Sequence, residues 1–161
     1  MKASDLVFEQ HYPNFPEFRR FGIELQYMEA GLILAIQALR MKSGIPIIPS
    51  PVIDGWYRFT GSITSRHYAV NRRSDAGDIF ARKGRILETW LKAQSMPVFN
   101  GFGVYLDTKG PDGSKWIMLH LDTRPGERLF WVRDNGAYFL LHANPLHFWN
   151  RIRKAIEVDT Q

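Results

Sequence analysis

Residues 101–141 alternate strand-like runs with turn compositions, and that pattern decides the fold class. Runs at 103–106 and 115–121 are separated by Lys109-Gly110-Pro111-Asp112-Gly113, and runs at 129–132 and 137–141 flank Arg133-Asp134-Asn135-Gly136. Asn-Gly between apolar runs is a strong hairpin signal, because its two residues accept the positive φ that a tight turn needs. Strands joined so closely must pair antiparallel. Around them lie segments of helical spacing. Leu25, Met28, Leu32, Ala35, Ile36 and Leu39 predict a core-facing helix over 24–42 that stops at Gly44. Ile79, Ile86, Leu87, Trp90 and Leu91 predict a second helix over 79–94, and Pro145 after the cap candidate Asn144 opens a third over 145–158. The expectation is a single-domain α+β fold, a small antiparallel sheet with helices packed on one face.

The remaining segments are less regular. Ile45-Pro46-Ile47-Ile48-Pro49 is extended, and its prolines confine it to a sheet edge or a connector. Residues 56–59 alternate large side chains with a charge and predict a short strand. Residues 1–24 read as an irregular arm, ahead of a domain over 25–161. The arm contains Pro13, Pro16, Phe8, Tyr12, Phe15 and Phe18, with one short helix over 15–21 and aromatics folded back on the domain. The longest apolar run, 30–39, is half of the roughly 20 residues a bilayer span requires, so no membrane role is expected. Met1-Lys2-Ala3-Ser4-Asp5 leads into no apolar signal core, which predicts no signal peptide and a cytoplasmic place of synthesis. A net charge of +5 attracts anionic surfaces, but the basic residues are dispersed and form no nucleic-acid register. An anionic cell-wall polymer would be attracted as readily.

Without cysteine, any metal must be held by histidine and carboxylates. If 115–122 is a strand, His120 and Asp122 share one face with Trp116 and Met118, while Leu119 and Leu121 point to the core. One of the pair could ligate a metal while the other holds the imidazole or takes a proton from water. The same pair would also sit comfortably as solvated surface groups. The stretch 65–78 packs His67, Asp75, Asp78 and three arginines between apolar segments. Asp78, ahead of the expected second helix, suits an N-terminal cap as well as a ligand role. His67, Asp78 and His120 together would leave a fourth position open, the pattern of a catalytic zinc rather than a structural one. Asp75 competes with Asp78 for that role. Ser65 lacks the surroundings of a nucleophile elbow, and His142 and His147 read as surface or helix-packing residues.

These residues resemble the D-alanyl-D-alanine carboxypeptidase-like zinc peptidases, relatives of phage endolysin peptidases and of the Hedgehog zinc domain. That family carries Ser-x-His-x-x-Gly-x-Ala-x-Asp-Ile, and one branch adds a later strand Phe/Trp-x-His-x-Asp-x-Arg. Ser65-Arg66-His67 and Ala76-Gly77-Asp78-Ile79 are similar to the two ends of the first motif. Trp116 with His120-Leu121-Asp122-Thr123-Arg124 is similar to the second, and Gly101-Phe102-Gly103-Val104-Tyr105 to the glycine-rich strand before it. The likeness covers roughly residues 25–133. It implies Zn2+ held by His67, Asp78 and His120, and a substrate carboxylate bound by Arg58. The family places its catalytic acid shortly before its last histidine. Trp116-Ile117-Met118-Leu119 offers none there, so Asp122 is the expected catalytic carboxylate.

His67 and Asp78 are eleven residues apart, four more than the motif, with the surplus around Asn71-Arg72-Arg73. A loop absorbs that at a closure cost of a fraction of a kcal/mol. The implied function is a zinc metallopeptidase cleaving peptidoglycan stem peptides or similar short peptides, encoded by a phage and made in the host cytoplasm. The alternative expectation is a virion structural component of a tail or baseplate that keeps the fold, contacts other virion proteins and catalyses little or nothing.

Overall fold

The structure is a computed structural model and describes residues 17–82, 84–110 and 112–159. It is α+β, with six strands in one sheet: β1 (Ile47–Pro49), β2 (Ala76–Ala81), β3 (Gly101–Lys109), β4 (Lys115–Asp122), β5 (Leu129–Asp134) and β6 (Ala137–Leu140). Their order across the sheet is β1-β2-β4-β3-β5-β6. All neighbours are antiparallel except β3 and β5, which run parallel, a departure from the wholly antiparallel sheet expected. The chain reaches β5 by passing under the Asn100 corner, where the Asn100 amide donates to Arg124 O at 2.8 Å and Leu129 N donates to Asn100 O at 2.7 Å. As the sequence predicts, the β5–β6 hairpin turns on Asn135 (φ 51°) and Gly136 (φ 78°).

Three helices cover one face: Ala30–Ser43, Ile86–Gln94 and Pro145–Asp159. Leu32, Ile33, Ile36 and Leu39 of the first are buried together with Ile79, Phe102, Val104, Leu119, Leu121 and Val132 of the strands. The third helix begins where expected, with His147 N donating to Asn144 Oδ1 at 3.4 Å. Phe18, in a single helical turn at Glu17–Arg20, is buried edge-on against Trp56 with ring centroids 4.7 Å apart, so this part of the arm folds back. Phe8, Tyr12 and Phe15 lie outside the described residues.

Expectations for individual elements are corrected as well. The first helix does not run from residue 24. A 3-10 turn at Leu25–Tyr27 precedes it, and residues 27–29 are tied to the loop by Ser74 N donating to Tyr27 O and Glu29 N donating to Ser74 O. That pairing uses backbone groups that a continuous helix would need. Residues 56–59 form no strand: a 3-10 turn at Ile53–Gly55 precedes them, and Arg58 makes only an isolated bridge to Tyr68. The expected helix over 79–94 is two elements, strand β2 and the helix Ile86–Gln94. Every residue of β2 is buried, so the strand has no polar alternation to reveal it. Asp78 is therefore no helix cap. It lies in a central strand, directly opposite His120 of β4.

Candidate metal centre

Strand pairing supplies two of the groups at this site. On β2 and β4, Ile79, Leu119 and Leu121 enter the helix-covered core, so the alternate residues Asp78, His120 and Asp122 face the other side. The third group comes from the loop between Arg58 and Ser74. Arg58 N donates to His67 O at 2.8 Å and Ala69 N donates to Arg58 O at 2.9 Å, which fixes the backbone around His67. Arg72 folds back over this loop, its guanidinium donating to Tyr68 O and Ser65 O.

The three side chains converge. His120 Nδ1 lies 2.9 Å from Asp78 Oδ1 and 3.0 Å from His67 Nε2, and His67 Nε2 lies 3.5 Å from Asp78 Oδ1. All three residues are buried, and together they are a group that can hold a metal ion. Metal–ligand bonds of about 2.0–2.1 Å place the ligands of a tetrahedral ion about 3.3 Å apart, and the three atoms lie 2.9–3.5 Å apart. The proton arrangement points the same way. His120 Nε2 donates to Asp122 Oδ2 at 3.1 Å, so in the neutral ring Nδ1 is a lone pair facing two further acceptors. Such a cluster needs a proton or a metal at its centre, and a His67 ring protonated on Nε2 supplies the first while a metal ion would supply the second. Nδ1 of His67 is buried with no partner, which leaves Nε2 as the nitrogen through which that ring engages.

Burial opposes charge on each group, and the neighbours overcome it. Burial would lower the His120 pKa, but hydrogen bonds to Asp122 and Asp78 push it from 6.5 up to about 9. Burial would raise Asp78, yet the charge of His67 and bonds from both histidines hold it well below the usual carboxylate range. Asp122 is likewise held low against burial, by Arg124 first and then His120. Arg124 grips it with both guanidinium arms, Nε donating to Oδ1 at 2.7 Å and Nη2 to Oδ2. Gly101 makes room for this carboxylate, because a Cβ there would overlap it.

The expected site residues therefore separate by position. His67, Asp78 and His120 meet. Asp122 sits on the far nitrogen of His120, away from the convergence point. Asp75 is taken by Arg66, with Nε donating to Oδ1 at 2.8 Å and Nη2 to Oδ2, so the structure selects Asp78 over it. Ser65 Oγ accepts from Arg58 Nη2 and from His67 N. His142 and His147 are exposed.

A cleft of about 290 Å³ opens over the two histidines, lined also by Arg58, Tyr105, Arg124 and Trp131. Tyr105 and Trp131 went unnoticed in the sequence, although Gly103, whose Cβ would strike Trp131, hints at a large ring crossing the strand there. Burial, then the Asp78 charge, raise the Tyr105 pKa, so its hydroxyl keeps its proton. The Arg124 guanidinium lies 5.6 Å from the centre of the Trp131 ring.

Comparison with family models, curated proteins and solved structures gives no match to this chain. Among the described residues, no helix is long and apolar enough to cross a membrane.

Proposed function

We propose that the protein is a zinc-dependent peptidase acting on peptidoglycan stem peptides or similar short peptides. The observation that carries this reading is the convergence of two imidazole nitrogens and one carboxylate oxygen beneath an open cleft. Two nitrogens, one oxygen and an open side suit zinc. His67, Asp78 and His120 would hold the ion, whose Lewis acidity polarises a scissile carbonyl and lets water attack near neutral pH.

The chain's own residues do the rest. Asp122 remains ionised, keeps the proton on His120 Nε2 and so presents the Nδ1 lone pair to the site, a positioning role in place of the expected proton transfer. Arg58 supplies a cation for an anionic group of the substrate; among the described residues it forms no ion pair. The Tyr105 hydroxyl is a protonated donor within the cleft. Hydrolysis consumes one water: its oxygen joins the carbonyl carbon, the C–N bond breaks, and a proton passes to the leaving nitrogen.

The test is metal analysis of freshly purified protein, followed by incubation with peptidoglycan and mass spectrometry of released peptides. About one zinc per chain and released stem-peptide fragments are expected. A chain without zinc would sink the reading. The virion-structural alternative draws on a different feature, the side chains of Leu146 and Trp149, one turn apart on the last helix and 70% and 54% exposed. Zinc bound without any cleavage would move the assignment there.

A further inference from the structure

The centre does not sit at the bottom of a blind pocket. Besides the cleft over His67 and His120, a second hollow of about 340 Å³ is lined by Asp78, Val52, Phe80, Met118, Lys109 and Arg133. The histidines of the triad face one hollow and its carboxylate faces the other. Arg58 lines both. Each hollow alone is near the lower end of the ~300–1,000 Å³ usual for ligand sites, and joined they reach the middle of it.

The position of Arg58 matters here. An arginine that reads a terminal carboxylate closes the end of a pocket, and the chain of the substrate stops there. Arg58 stands at the wall between two open hollows, with its buried Nε lacking a partner. The other guanidinium groups that line them are committed to carboxylates: Arg66 to Asp75, Arg124 to Asp122 and Arg133 to Asp107. Aromatic and apolar side chains floor both hollows, Trp131, Tyr138 and Leu140 in one and Phe80 and Met118 in the other. Each can therefore take substrate side chains as well as backbone.

We infer that the substrate peptide runs through both hollows, with residues on each side of the triad and Arg58 beside the middle of the chain. The bond cut is then internal, and no free terminal carboxylate is needed. This rests on the peptidase reading for the cleavage but not for the binding. Hydrolysis follows the balance given above, yielding two peptide fragments rather than one released amino acid.

The experiment uses a stem pentapeptide in two forms, one acetylated and amidated at its ends and one with a free carboxylate. Binding to the metal-free protein is followed by calorimetry, and cleavage by the zinc-loaded protein by mass spectrometry. Both forms should bind within about threefold of each other, and the blocked form should be cut internally. Val52, 58% exposed, is a position from which a large side chain fills the second hollow without entering the core. Val52→Trp should weaken binding of the blocked peptide at least tenfold, with zinc content and circular dichroism unchanged. Tyr138→Ala, from the first hollow, should weaken it as well. Binding or cleavage of the free-carboxylate form alone, or a Val52→Trp protein that binds as wild type, overturns the inference. Wild-type binding lost in Val52→Trp, with no cleavage of either form, leaves the spanning mode standing and removes the peptidase reading instead.

Discussion

The two faces of the sheet are made by the same strands and do opposite work. On β4, Leu119 and Leu121 join the helix-covered core, while His120 and Asp122 between and beyond them build the polar centre. The covered face is apolar and interchangeable in principle, since an apolar side chain of suitable volume and shape satisfies it. The open face is specified atom by atom: Arg124 fixes Asp122, Asp122 fixes His120, and His120 meets Asp78 and His67. Burial alone does not distinguish them, because Leu119, His120 and Asp122 are all nearly inaccessible. What separates them is that one face is stabilised by removing surface from water and the other by pairing charges that burial would otherwise expel.

Neighbouring substitutions on β4 can break this contrast. Leu119→Ala should cost about 2–5 kcal/mol in denaturant unfolding, as core truncations do. A cost below about 1 kcal/mol would show that the covered face is not the source of stability. His120→Ala should leave a cooperatively folded protein that no longer retains zinc through dialysis, and retained zinc would mean that the metal lies elsewhere. Asp122→Asn should lower zinc affinity by about 10–100-fold, the usual cost of losing a carboxylate behind a ligating histidine. Competition with a chelator measures it, and an unchanged affinity would deny Asp122 its positioning role.

The two faces should also part in their response to pH. In metal-free protein the raised His120 pKa contributes stability that is full below 6.5 and lost as pH climbs through about 9. The lowered Asp78 and Asp122 contribute stability present above 3.8 and lost as pH falls through their depressed values. Thermal melts of chelator-treated protein should thus decline from pH 6.5 to 9, and zinc should remove the decline. The smallest effect belongs to the surface: His142→Ala should change unfolding by no more than about 0.5 kcal/mol and zinc content not at all.

Much of this arrangement is legible before any coordinates, and the illegible parts have identifiable causes. The two-residue period of a strand over 115–122 reveals which residues of β4 share a face, and Asn135-Gly136 reveals the last hairpin, because both are local properties of the backbone. β2 escapes because it is buried on both faces, and Ile79, Ile86 and Trp90 happen to fall at helical spacing across a strand, a turn and a helix. The β3–β5 pairing escapes because parallel register is set by distant chain. Residue type and spacing leave Asp75 and Asp78 in competition and only the resemblance favours Asp78, since the deciding fact is the Arg66 side chain reaching nine positions ahead to claim Asp75. The sequence leaves the proton relation between His120 and Asp122 open between two roles, and the position of Asp122 on the far nitrogen of His120, held there by Arg124, favours the positioning one.

The first strand has a consequence for how copies of this chain can meet. β1 is three residues long, lies at the sheet edge against β2, follows Pro46 and ends on Pro49. Proline lacks the donor that an incoming strand would require, and so short an edge offers little ladder to extend. Among the described residues the sheet ends along that border. Such an edge disfavours backbone pairing, which accepts almost any strand, and favours contacts through side-chain surfaces, where shape and charge choose the neighbour.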